Sequence, residues 1–474
     1  MNLSKTIRRF ITMEQSIHVP EAVKESFTAY ASLIGIGVQF EARQVFKPIA
    51  HHVKIAQKVV TYTPVDKLKD GFINLLAGAR GMVEVNKRGR CDMGLQRAFG
   101  RAGCAEQSVI QDTLDTCTDE NVAQMHTAMQ VIYQKHSQGY RHDYTHDWQL
   151  LDVDMTGRPC GEKAAFATPG YFAHQRNRRG RQMGYVIATW YEETVVARLY
   201  AGHTQLNKAL IPLLEATEQT LRLDCARRAR TIVRMDAGGG SVEDVNWLLC
   251  RGYQVHGKDY SGQRAQNLAQ RVRVWIPDPY NPGREMGWIE ETETPYCREV
   301  RRIAVRCRKQ NQQWGIGVLI STLTPHEVLW LSGQYDQDSD DPAMVLYAYV
   351  HFYDLRGGGV ETEIKEDKQG LGTTKRYKKS FAAQQMLLQL EVLAHNTTMW
   401  AQQWLAPHYP QIHSLGILRL IRNVFRMQGK VILNRFGQIV HIVLNETDPW
   451  AVKLRPALSA LLTHQHIAVT LGEI

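Results

Sequence analysis

Between His351 and Lys368 the chain gathers the side chains that phosphodiester chemistry needs: Tyr353, Arg356, Glu361, Lys365 and Lys368. A carboxylate, lysines and an arginine stand where one phosphodiester could meet them all. On an α-helix, at about 100° per residue, Glu361, Lys365 and Lys368 fall within a sector of roughly 60°, and Glu363 points the other way. A metal-binding acid then shares a face with phosphate-seeking bases. A solvated amphipathic helix with i,i+4 pairs is the plain alternative for this run taken alone. Two aspartate strands upstream outweigh it.

Those strands are what must position the acids. From Trp148 to Gly157, strict alternation sends Leu151, Val153 and Met155 to one side and Asp152 and Asp154 to the other. Asp154 is the first candidate ligand, with Asp152 in reserve because it shares that face. From Thr231 an apolar run delivers Asp236 at its end, followed by glycines and a Ser241 N-cap for a helix beginning at Val242. Each aspartate alone reads as a cap or turn residue. With Glu361 the order is strand Asp, strand Asp, helix Glu, a set able to converge on divalent metal.

With these residues in view, the sequence resembles the DDE transposases of bacterial insertion sequences, and within them the insertion-sequence-four superfamily and its "thirteen-eighty" branch. That superfamily spaces a tyrosine, two residues, an arginine, three residues, the catalytic glutamate, six residues and a lysine. Tyr353, Arg356, Glu361 and Lys368 reproduce the pattern with one extra residue between arginine and glutamate. Similar stretches begin at Gly170, Gly180, Gly252 and Lys368, and the resemblance spans roughly residues 70 to 450.

The resemblance implies an α/β multidomain protein. An RNase H-like catalytic core (141–262 and 351–405) is interrupted by a β-rich insertion (263–350). A helical DNA-binding region (1–140) precedes it, and a helical C-terminal region (406–474) follows. It implies catalysis and metal binding by Asp154, Asp236 and Glu361. Two Mg2+ ions about 4 Å apart, with Mn2+ as a substitute, would assist phosphoryl transfer. Tyr353, Arg356, Lys365, Lys368 and Lys258 would lie against the scissile or neighbouring phosphate. The partner is double-stranded DNA, both terminal inverted repeats and target, cut and joined by a homodimer. A nuclease on the same core, or a domesticated DNA-binding regulator, are the other classes.

Composition agrees. The chain of 474 residues is 44% apolar, and 57 Lys and Arg against 47 Asp and Glu give a net charge of +10 and a pI near 9.1. Such a balance favours polyanionic partners over acidic proteins or free metabolites. Eight cysteines without a CxxC pair give no zinc ribbon or redox motif; reduced, mostly buried thiols are expected. No signal-peptide pattern opens the chain and no apolar run approaches about 18 residues, so a cytoplasmic, nucleoid-associated protein is expected.

Secondary candidates lie around this centre. Residues 95–114 read as a helix-turn-helix-like pair carrying Gln107, Ser108 and Gln111, polar groups suited to base edges; a plain helical hairpin is the alternative. The glycine-edged loop with His174, Arg176, Arg178, Arg179 and Arg181 reads as a phosphate clamp. Lys375, Arg376, Lys378 and Lys379 read as a backbone track before a long helix from Ser380 to about Leu405. Trp275, Trp288, Trp314 and Trp330 in the insertion are base-stacking candidates, though core packing accounts for each. Residues 335–341 are acidic but lack EF-hand spacing, and residues 431–444 read as a hairpin turning at Phe436 and Gly437.

Overall fold

The computed structural model describes residues 22–172, 175, 178–259, 262–290, 295–311 and 313–474. It is a mixed α/β structure with a four-stranded and a ten-stranded sheet. His174 and Arg176 lie outside the described residues, and so does the side chain of Lys375.

The chain opens with β1 (Ala22–Thr28) and α1 (Ala31–Ala42), then α2 (Pro64–Leu76), α3 (Met93–Ala98), α4 (Gln107–Asp115) and α5 (Asp119–His136). Capping boxes start two of them. Thr63 and Asp66 bond reciprocally at α2, and Thr118 and Asn121 do so at α5, satisfying otherwise orphaned amide donors. The helix-turn-helix expectation is corrected here. α3 packs on α1 and β1, while α4 packs on α2 and on a later helix, so the two do not form one reading unit. Gln107 is half-buried, with Oε1 enclosed and without a hydrogen bond, whereas Ser108 is exposed and Gln111 half-buried.

The core sheet follows. β2 (Gln149–Pro159), β3 (Arg179–Ala188) and β4 (Glu193–Ala201) form an antiparallel meander that turns at Glu192, in left-handed backbone at φ 52°. α6 (Leu206–Leu221) crosses to β5 (Thr231–Met235), which is parallel to β2, and α7 (Val242–Cys250) crosses to β6 (Gln254–Lys258), parallel to β5. The strand order is therefore β4-β3-β2-β5-β6. β7 (Arg284–Trp288), β8 (Arg301–Arg308) and β9 (Trp314–Ser321) continue the same sheet, because Leu319 on β9 pairs with Lys258 on β6. The β-rich stretch thus covers what would be an open strand edge.

Helix α8 (Pro342–Arg356), a π-helical turn (Gly357–Glu361), α9 (Thr362–Gly370) and α10 (Phe381–Leu405) follow the sheet. The single helix expected through Glu361 is broken. Three glycines lower its helical stability, and Gly359 leaves helical backbone at ψ −105°. α10 is almost wholly buried between α5 and β4. The hairpin β10 (Gly429–Asn434) and β11 (Ile439–Asn445) forms as expected, with Gly437 at φ 74° in its turn. Unexpectedly, β1 pairs with β10 and β12 (Ala468–Gly472) with β11, so the two ends of the described chain share one sheet. Cys104, Cys117 and Cys160 are buried, but Cys91, Cys225, Cys250, Cys297 and Cys307 are exposed, against the expectation of mostly buried thiols. Among the described residues no helix is long and apolar enough to cross a membrane.

Candidate active site

The site grows from the register of two neighbouring parallel strands. Val153 on β2 is aligned with Met235 on β5, and the same offset sets Asp154, midway along β2, beside Asp236, the residue that follows β5. Adjacent strands lie about 4.8 Å apart, so the two carboxylates meet on one face. Burial pushes the Asp154 carboxyl up; Arg356 opposes this, and the Asp236 charge adds to it. Asp236 caps the following turn, accepting a hydrogen bond from the Gly238 amide at 2.9 Å.

That face of β2 carries a polar ladder. Asp152 is fully buried and accepts two hydrogen bonds from the Arg234 guanidinium, both at 2.7 Å, with Thr189 adding a third at 2.9 Å. Arg234 also donates to the Phe352 carbonyl at 2.6 Å, which ties α8 to the sheet. Asp152 is therefore a structural ion-pair partner, and the reserve assignment is corrected. Next along the face, Arg356 from the end of α8 lies 3.1 Å from Asp154 and 3.5 Å from Glu361, and donates to the Val153 carbonyl at 2.9 Å. Thr156 accepts from Lys368 at 2.6 Å. Arg158, which the sequence reading passed over, pairs with Glu391 of α10 at 2.8 Å with both groups buried. Its signal was present, since Arg158 continues the alternation of Asp152 and Asp154.

Arg356 is only 3% exposed, so it organises carboxylates and does not present its charge outward; a phosphate role would require it to leave Asp154. Glu361 is 60% exposed, on the outer side of the π-helical turn. Tyr353 is half-buried, its hydroxyl pushed up to about 12 by burial, and the exposed Lys258 ammonium sits 4.8 Å from its ring centre. Lys365 is exposed. The structure thus gathers Asp154, Asp236, Tyr353, Arg356, Glu361 and Lys368 around the C-terminal end of β5, in the middle of the sheet, with Lys258 beside them.

Glu363 faces inward, as the helix-face argument requires. His395 of α10 bonds to Asp367 through Nδ1 at 2.9 Å and to the Glu192 carbonyl through Nε2 at 2.9 Å, while Glu363 Oε2 lies 4.0 Å away without a hydrogen-bond partner. Burial lowers the His395 pKa, but Asp367 and then Glu363 outweigh it and bring it up to about 9. Burial raises Glu363 to about 8 despite His395. Both groups hold protons more tightly when folded: the stabilisation from His395 is complete below its ordinary value of 6.5 and is lost as pH rises through about 9, and that from Glu363 is complete below its ordinary 4.5 and is lost as pH rises through about 8. We expect the midpoint of thermal unfolding to fall across that window and the fall to flatten in His395→Gln. A midpoint that climbs with pH there would contradict this.

Three other expectations are corrected. Arg181 is 1% exposed and donates to the carbonyls of Ala165, Lys378 and Lys379, so it staples two loops together and is no phosphate clamp. Arg376 is 3% exposed, donates to the Ala79 carbonyl, and is lowered to about 10 by burial. Lys378 is buried against the Gln111 carbonyl at 3.2 Å and Asp115 at 3.3 Å. The clamp and track thus reduce, among the described side chains, to the exposed Arg178, Arg179 and Lys379. Three of the four tryptophans are also committed to the insertion. Arg306 lies over Trp275 and Trp314, 4.2 and 4.6 Å from the ring centres, and Trp288 packs edge-on to Tyr349 at 5.5 Å. Trp330 is 48% exposed and forms one wall of a cavity of about 440 Å3 with Trp148, Trp190, Tyr191, Tyr335 and Leu355.

The donor set is all carboxylate oxygen, the chemistry of a hard divalent cation. As placed, no three His, Cys, Asp or Glu side chains among the described residues stand close enough together to enclose a metal ion. Arg356 bridges Asp154 and Glu361. Two neighbouring carboxylates with one buried arginine as counter-charge still fit a cation chemically, because like charges this near disfavour joint ionisation without one.

No family model matches the sequence, and no curated protein matches it. One solved structure of related shape is a piggyBac transposase, in a synaptic complex with hairpin DNA determined by cryo-EM. It is 12% identical, with 85% of this chain and 84% of that chain covered at a TM-score of 0.43. So distant a likeness carries no argument, and the site stands on its own geometry.

Proposed function

We propose that this chain is a DNA transposase of the DDE type, built on an RNase H-like core, that cuts at the inverted repeats ending an insertion sequence and joins them to target DNA. The observation that carries the reading is the pair Asp154 and Asp236, set side by side where β5 ends against the middle of its parallel neighbour β2, and joined to Glu361 through Arg356. The strand order β4-β3-β2-β5-β6, with its antiparallel meander followed by two parallel crossovers, supports the RNase H-like assignment.

Asp154, Asp236 and Glu361 would hold magnesium, two ions in the full complex, with manganese substituting. Such ions supply a lowered pKa for attacking water or 3′-hydroxyl and charge stabilisation for the leaving oxygen. Arg356, in contact with both Asp154 and Glu361, holds the two carboxylates near each other. Lys368 and Lys258 supply positive charge toward the neighbouring phosphate. Arg178, Arg179, Lys365 and Lys379 lie on the surface, where they suit the DNA backbone. A homodimer would bring two ends together.

The test turns on two glutamates. Glu361→Gln should abolish cleavage of DNA bearing the flanks of the element, and Glu363→Gln should leave it intact, because Glu363 faces His395 and not the paired aspartates. The reverse outcome would move the site.

Trp330 is the stacking residue in this reading, being the half-exposed member of the four and a wall of an aromatic cavity. Base stacking contributes about 1–3 kcal/mol. Trp330→Ala should therefore weaken binding to a duplex with an unpaired end base, with little effect on a fully paired one. Equal binding of both DNAs by wild type and variant would remove that role.

A further inference from the structure

The exposed cysteines are not equivalent. Cys91 approaches the Asn86 carbonyl at 3.1 Å and Cys225 accepts from Arg228 at 3.1 Å, so each is engaged within its own local turn. Cys250 and Cys297 are 47 positions apart in sequence, both exposed, with their sulfurs 3.2 Å apart. The contact is braced from both sides. Asn246, one turn earlier on α7, accepts from the Cys297 amide at 2.8 Å and donates to the Pro295 carbonyl at 3.0 Å. Tyr296, between those residues, is buried in the apolar cluster beneath α7, with the Arg302 guanidinium 4.9 Å from its ring centre. Cys250 is itself the last residue of α7. Both sulfurs are thus presented by anchored backbone, and nothing needs to move far for a bond to form.

We propose that Cys250 and Cys297 are a redox-modification site: a thiol pair that a low-molecular-weight disulfide converts into an intrachain disulfide joining α7 to the segment entering β8. One cysteine, as thiolate, attacks the external disulfide, forming a mixed disulfide and releasing one small thiolate. The second cysteine thiolate then attacks the protein sulfur of that mixed disulfide, forming the Cys250–Cys297 bond and releasing the second. Two protein thiols are oxidised, one external disulfide is reduced to two thiols, and two protons go to solvent or to the released thiolates. Surface disulfides in a reducing compartment are the labile and regulatory kind. The bond would close a loop containing β6, the Gly262–Ala269 helix and β7, linking the helix after the Asp236 turn to the extension of the sheet. Closing a loop of that span restricts the unfolded chain and favours the folded one.

The test does not depend on the proposed activity. The full reduced chain is incubated with oxidised glutathione, its remaining thiols are alkylated, and the protein is digested without reduction for mass spectrometry. The expected product is one cross-linked peptide pair joining Cys250 to Cys297, reversed by a dithiol, with a higher midpoint of unfolding than the reduced protein. Cys250→Ser should leave Cys297 as a stable glutathione adduct, and Cys297→Ser should do the same for Cys250. Separate glutathione adducts on both cysteines of the wild type, two alkylated thiols, or a cross-link without a rise in the midpoint would overturn the proposal.

Discussion

Asp154→Asn and Asp236→Asn are each expected to abolish DNA cleavage while leaving DNA affinity nearly unchanged. Each substitution keeps the shape of the side chain and removes one negative charge from a pair set side by side by strand register. Losing a charge-stabilising group in an active site costs roughly a hundred- to thousand-fold in rate, and a group on which cation binding itself depends should cost at least that. Affinity should hold because the exposed basic side chains of Lys258, Lys365, Arg178 and Arg179 are untouched. Asp154→Asn also releases Arg356 from its carboxylate, so this variant should bind DNA as well as or better than wild type. Parallel loss of binding and cleavage in a folded Asp236→Asn protein would show that the residue supports structure and not chemistry.

Asp152→Asn should fail differently. Asp152 and Arg234 are 0% and 1% exposed, and their ion pair lies one step before the candidate aspartates along the chain. Breaking a buried pair by neutralising one partner costs about 3–5 kcal/mol, because the other charge is left uncompensated. The variant should lose that much in denaturant unfolding and loosen α8, which Arg234 holds through the Phe352 carbonyl. A stable Asp152→Asn protein with lost cleavage would return Asp152 to the metal site.

Much of the core was legible because it rests on local rules. Alternation placed Asp154, the apolar run placed Asp236, and a Ser241 cap started α7 as expected, with its side chain accepting from the Asp244 amide. Helix angle separated Glu361 from Glu363. The errors share one cause, which is that a charged residue in sequence carries no record of its distant partner. Arg181, Arg376 and Lys378 read as contacts to the DNA backbone, but each finds backbone carbonyls across long stretches of chain. Arg356 read as a phosphate ligand because its partner Asp154 lies on another element. The pairing of β1 with β10 was equally hidden, since strand partners across about 400 residues follow from tertiary packing and not from pattern. One long-range clue was available. Asp152 and Arg234 each stand two residues before a candidate acid, so parallel register alone would have paired them.

The central claim is that Asp154, Asp236 and Glu361 act together to hold divalent metal, and Mn2+ binding followed by electron paramagnetic resonance tests it most directly. The titration uses the full chain bound to duplex DNA, comparing wild type with Asp236→Asn, Glu361→Gln and Glu363→Gln. The account predicts bound Mn2+ in wild type and Glu363→Gln, and its loss in Asp236→Asn and Glu361→Gln. Equal Mn2+ binding by all four proteins, or none by wild type, would contradict it.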